Sequence, residues 1–137
     1  MQRRLKMIEI APIKKLDCEI SVPGSKYIAN RVLLIAALAS GTSIIKNIPK
    51  NEDINAAIEA LKKFGVSINN INKKNNNLEI TGSNGKLKSK NVKINVHDSG
   101  TLLRFITGFA SLAKGKAIIT GSERLQERPI NDLLKSL

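Results

Sequence analysis

A chain of 137 residues with 42% hydrophobic residues is long enough for one domain or slightly more, and with 3% aromatics and no Trp its core must be aliphatic. Its 23 Lys and Arg against 11 Asp and Glu, a formal charge of +12, point to anionic partners (nucleic acid, a membrane surface or acidic small molecules), with a solvated lysine surface as the plain alternative. A single cysteine, Cys18, excludes an intrachain disulfide; one His and one Cys are too few for a usual metal cluster, and no apolar run is long enough to span a bilayer.

The basic start at residues 1–6 is followed by no apolar signal-like segment, so a reducing, cytoplasmic setting is expected. Residues 18–22 alternate as a short strand that would bury the Cys18 thiol. Pro23-Gly24 then turns the chain into Ser25, the expected N-cap of a helix over 26–39. That helix is apolar almost all round, which predicts burial, and Gly41 is expected to end it at C′. A strand over 42–47 follows. Asn51 caps a second helix with Glu52 and Asp53 in its first turn, apolar positions Ile54, Ala57, Ile58, Leu61 and Phe64, and Gly65 at its end. Residues 66–71 and 77–81 read as a hairpin across a polar Asn/Lys turn. The predicted order is β-α-β-α-β-β.

The pattern then restarts. Val92, Ile94 and Val96 alternate as a strand, Asp98-Ser99-Gly100-Thr101 opens a helix to about residue 113, Gly115 stops it, and 117–120 form a strand. Pro129 is expected at the first position of a last helix from Ile130 onward. The helix starts at Lys26 and Gly100 lie about 74 residues apart, an internal repeat of element order. The second copy lacks its closing hairpin, so the chain is expected to be a piece of something longer.

Three strand-to-helix junctions carry candidate chemistry. In the first, Lys26 and Arg31 sit at a helix start, where acidic residues are usual, and there they raise the positive potential that holds an anion. Incidental surface cations are the bland alternative. In the second, Gly100 permits close approach of a ligand to the backbone, while Asp98 or Ser99 could equally be a plain cap. In the third, the loop 121–129 carries Arg124 and Arg128, suited to bidentate anion binding, or else two local salt bridges, Glu123–Arg124 and Glu127–Arg128.

Pro23-Gly24-Ser25-Lys26 with Asn30-Arg31, Gly100-Thr101 with Arg104, and Arg124 with Glu127-Arg128-Pro129-Ile130 together resemble the enolpyruvyl transferase family, over residues 16–137. The resemblance covers about the first third of such an enzyme. It implies an α/β (α+β) fold of repeated βαβαββ units in an inverse α/β barrel, of which one and a half to two are present. Residues 1–22 would be an N-terminal strand segment belonging to the other domain, 23–90 the first unit, and 91–137 an incomplete second unit.

The implied reaction moves the enolpyruvyl group of phosphoenolpyruvate to the 5-hydroxyl of shikimate-3-phosphate, on the route to chorismate, with no metal and no organic cofactor. By motif position, Lys26, Gly100 and Arg124 would contact phosphoenolpyruvate, and Lys26 would also serve in proton transfer. Tyr27 and Arg31 would contact shikimate-3-phosphate, and Asp53, Asp98 and Thr101 would line the cleft. The implied partner is the rest of the enzyme, without which the piece is expected to be inactive and to self-associate through uncovered apolar surface. Two residues depart from the family's pattern: Tyr27 stands where Ser or Thr is usual, and Asp98-Ser99 where Asn-Ala is usual. A carboxylate at 98 would repel phosphoenolpyruvate unless it is paired.

Two alternatives remain. A related transferase could use another acceptor, although the branch acting on UDP-N-acetylglucosamine would have Lys-Asn after its first Gly and a later cysteine, neither of which is present. A small basic module could bind nucleic acid, but the aromatics are only Tyr27, Phe64, Phe105 and Phe109, which make no stacking platform, and no helix has a clean basic stripe.

Overall fold

The computed structural model describes residues 8–12, 15–20, 22–72, 75–87 and 91–137. The first half holds helix α1 (Lys26–Leu38), strand β1 (Thr42–Ile45), helix α2 (Glu52–Lys63) and strands β2 (Ser67–Asn72) and β3 (Asn77–Thr81). The second holds β4 (Asn91–Asn95), α3 (Gly100–Ala110), β5 (Lys116–Thr120), α4 (Glu123–Gln126) and α5 (Asn131–Ser136). The helix starts of α1 and α3 keep the spacing read from the sequence.

Strands β1, β3 and β2 form an antiparallel sheet in that order, with Thr81 opposite both Thr42 and Ser67. Strands β4 and β5 pair in parallel, Ile94 against Ile119, because α3 carries the chain back across them. Helices α1, α2 and α3 pack on one another and join the two sheets. Between them Leu33, Ile54, Leu61, Ile80, Ile94, Leu102 and Ile106 are fully buried, and the Phe64 and Phe109 rings meet at 5.3 Å, tilted by 59°. The core is aliphatic apart from this pair, as the composition requires.

The end of α1 is capped from a distance. The carbonyls of Ala37, Leu38 and Ala39, which have no partner within a helix end, accept from the backbone N–H groups of Ser83, Gly85 and Asn84 at 2.8, 3.1 and 3.0 Å. The turn after β3 therefore lies directly on the last turn of α1. Gly82 leads into it with its bare Cα against the carbonyl oxygens of Ala36 and Ala39.

Several expectations need correction. The alternating run 18–22 forms no strand among its described residues, and Cys18 is exposed rather than buried. Alternation alone does not make a strand; a hydrogen-bonded neighbour does, and among the described residues β1 pairs with β3 alone. Helix α1 is not buried all round: Ile28 and Ile35 are exposed, since only the side carrying Ala29, Leu33, Ala36 and Ala37 packs on the other helices. Its cap is Ala39, so Gly41, at φ +78°, lies one residue beyond C′. Strand β1 ends at Ile45 because Asn47 turns the backbone to φ +54°. Helix α3 stops at Ala110, earlier than expected. Part of the loop 121–129 is the short helix α4, capped by Ser122. Pro129 precedes α5 rather than starting it: Ile130 is the cap, and the Pro129 carbonyl accepts from Arg104 at 3.2 Å.

Candidate active site

The first neighbourhood lies where α1 and α2 begin. Ser25 caps α1 by accepting from the Ile28 N–H at 3.5 Å, and Asn51 caps α2 by accepting from the Ile54 N–H at 3.0 Å. These caps set Lys26 and Asp53 in facing first turns, and Nζ of Lys26 meets Oδ2 of Asp53 at 2.9 Å. The hydrogen bond that Lys26 donates to Asp53, and then the charge of Asp53, raise the Lys26 pKa above its ordinary value; partial desolvation opposes them, and Tyr27 adds a smaller upward contribution. Lys26 is therefore held as a cation at neutral pH. The ammonium also lies 5.6 Å from the centre of the half-exposed Tyr27 ring.

One turn on, Arg31 donates from Nη1 to the Tyr27 carbonyl at 2.8 Å, and its guanidinium stacks 4.9 Å from the centre of the Phe105 ring. Phe105 belongs to α3, so this contact ties the first neighbourhood to the second. Nothing in the sequence pattern marks Phe105 as a partner for Arg31, because the two are far apart in the chain and meet only when α1 packs on α3.

The second neighbourhood lies at the ends of β4 and β5. The Val96 N–H donates to the Thr120 carbonyl at 2.8 Å and the Ser122 N–H to the His97 carbonyl at 2.9 Å, which carries the parallel pairing past the strands. The Ser122 hydroxyl donates to Oδ1 of Asp98, fixing that carboxylate. Ser99 is buried and caps α3 by accepting from the Leu102 N–H at 3.3 Å, which leaves Gly100 and Thr101 as the first residues of that helix.

Buried Leu125 anchors α4 and sets Arg124 and Arg128 on either side of it. Asp98, Arg124, Leu125 and Arg128 line a cavity of about 280 Å³. Gly100, Thr101, Arg104 and Arg128 line an adjoining recess of about 180 Å³. Neither salt bridge considered for this loop forms, and among the described residues the ion pair is Lys26–Asp53. The residues singled out from sequence thus fall into two groups, Lys26, Tyr27, Arg31 and Asp53 in one and Asp98, Gly100, Thr101 and Arg124 in the other. The sequence pattern does not single out Phe105 or a role for Ser122, and it marks Arg128 only as one of two loop arginines suited to anion binding.

The family model for EPSP synthase (3-phosphoshikimate 1-carboxyvinyltransferase) matches residues 10–137. The chain belongs to the EPSP synthase family. Among curated relatives, the 3-phosphoshikimate 1-carboxyvinyltransferase of Methanobrevibacter smithii is 38% identical over 131 residues, covering 95% of this chain and 29% of that protein. The enzyme of the same name from Buchnera aphidicola is 37% identical over 131 residues, 95% of this chain and 30% of that protein. The solved EPSP synthase from Acinetobacter baumannii superposes with a TM-score of 0.77 at 31% identity, covering 86% of this chain and 27% of that chain. The chain therefore spans about 30% of the length of the curated EPSP synthases it matches, and its fold is that part of the family's inverse α/β barrel.

Proposed function

We propose that this segment forms the N-terminal substrate wall of a 3-phosphoshikimate 1-carboxyvinyltransferase. In that reaction the C–O bond between the enolpyruvyl carbon and phosphate breaks. The 5-hydroxyl oxygen of shikimate-3-phosphate bonds to that carbon, its proton is lost, and inorganic phosphate leaves. The observation that carries the reading is the family match across residues 10–137. The geometry supports it, because both substrates carry phosphate and carboxylate and the two neighbourhoods gather Lys26, Arg31, Arg124 and Arg128.

In this reading Lys26, Gly100 and Arg124 contact phosphoenolpyruvate, Lys26 as an ammonium held charged by Asp53 and, once the substrates displace or reshape that pair, as the group that takes part in proton transfer. Tyr27 and Arg31 contact shikimate-3-phosphate, while Asp53, Asp98 and Thr101 line the cleft. Residues 23–90 and 91–137 act as successive units of the barrel, and the remaining acid–base groups come from the rest of the enzyme. A cytoplasmic setting goes with this reading; among the described residues no helix is long and apolar enough to cross a membrane.

The test is calorimetry of the chain with shikimate-3-phosphate, beside a phosphate-release assay with both substrates. Binding that weakens about tenfold in Arg31→Ala, with no turnover, is expected. Equal affinity of the two proteins, or phosphate release by the 137-residue chain at an ordinary enzyme rate, contradicts the reading.

A further inference from the structure

We propose that Arg128 is a second anion-binding side chain of the cleft, meeting the same phosphorylated ligand as Arg124 and Gly100 and offsetting the charge of Asp98. The inference deepens the functional reading above and rests on it for the identity of the ligand as phosphoenolpyruvate.

The placement of Arg128 is specific. A β-carbon on Gly100 would come within 2.8 Å of Arg128 Nη1 and 3.8 Å of its Cζ, so the guanidinium lies against the bare backbone at the start of α3. It thereby borders both the cavity shared with Arg124 and Asp98 and the recess shared with Thr101 and Arg104. Its own backbone is fixed on both sides. The Arg128 N–H donates to the Leu125 carbonyl at 3.1 Å, and Arg104 Nη2 donates to the next carbonyl, that of Pro129, at 3.2 Å. Among the described residues no carboxylate pairs with Arg128, although Glu127 is its neighbour in the chain.

Charge explains why a second guanidinium is needed. Asp98 is held at the cavity by Ser122, a hydroxyl that fixes the carboxylate without neutralising it. With Arg124 alone, the side chains lining the cavity would carry no net charge. Arg128 makes the lining net positive, as a ligand with a phosphate and a carboxylate requires. The planar guanidinium can also give a phosphate two parallel N–H donors.

The experiment is calorimetry of the chain with phosphoenolpyruvate and, separately, with inorganic phosphate, for wild type, Arg128→Gln, Arg128→Lys, Asp98→Asn and the Asp98→Asn/Arg128→Gln pair. Arg128→Gln is expected to weaken phosphoenolpyruvate about tenfold or more, with Arg128→Lys intermediate. The loss from Arg128→Gln should shrink to about threefold in the Asp98→Asn background. Arg128→Gln within twofold of wild type overturns the proposal and leaves the functional reading intact. An equal loss in both backgrounds overturns the charge-offset role. Arg128-dependent binding of phosphate without binding of phosphoenolpyruvate supports the site and overturns the functional reading of its ligand. Wild type that binds neither overturns the proposal, while the enzyme reading still stands or falls by turnover. Should Arg128→Gln not fold, the wild-type Nε–H resonance of Arg128 still decides: a shift on adding phosphoenolpyruvate supports the contact, and no shift overturns it.

Discussion

Lys26 and Asp53 meet at 2.9 Å because two separately capped helices begin side by side. The folded pKa of Lys26 is raised above its ordinary 10.5, so the pair's contribution to stability is fully present below that value and is lost as pH rises through the higher folded value. In urea unfolding, wild type should exceed Lys26→Met by a constant margin from neutral pH to about pH 9.5, and the margin should shrink above about pH 10.5. An NMR titration of Lys26 Nζ should also show its pKa falling toward the ordinary value in Asp53→Asn. A margin that stays flat to the highest pH, or an unmoved titration, would remove the coupling.

Gly82 and Gly108 should respond to alanine with opposite signs. A β-carbon at Gly82 collides with the backbone carbonyl oxygens of Ala36 and Ala39, which cannot swing aside without breaking the cap on α1. Gly82→Ala should cost at least about 2 kcal/mol. A β-carbon at Gly108 meets nothing within 4 Å and the residue is helical, so Gly108→Ala should stabilise the chain by about 0.5–1 kcal/mol. Denaturant midpoints for the two variants check both signs.

If Arg31 meets shikimate-3-phosphate as proposed, Phe105 should act through it, by positioning the guanidinium. With the ring 4.9 Å from the guanidinium carbon, Phe105→Leu should free Arg31 and weaken shikimate-3-phosphate about two- to fivefold, and Phe105→Trp should restore the affinity. Phosphoenolpyruvate binding should be unchanged in both variants. If Leu and Phe bind shikimate-3-phosphate equally, the stack does not position Arg31.

What was legible in the sequence follows from which interactions are local. Caps by Ser25, Asn51 and Ser99 use residues three positions away, so their helix starts could be read directly. The hairpin of β2 and β3 and the β4–α3–β5 crossover were likewise carried by short-range pattern. What failed depended on distant partners. The run 18–22 alternates as a strand should, but finds no ladder among the described residues. The exposed side of α1 could not be foreseen from an apolar sequence, since Ile28 and Leu33 look alike until the helix packs. At the site, Gly100 and Arg124 were visible as motif residues. So was Arg128, as the second arginine of the loop; its seat against Gly100 was not, because that contact joins two loops.

Turnover by a chimera tests the functional reading most directly. Residues 10–137 of this chain would replace the matching part of the Methanobrevibacter smithii relative, to which the chain is 38% identical. The folded chimera should release phosphate only when phosphoenolpyruvate and shikimate-3-phosphate are both present, and Lys26→Met in the chimera should cut that rate by about 100-fold or more. A folded chimera that binds both substrates but releases no phosphate, or one whose rate is indifferent to Lys26, would contradict it.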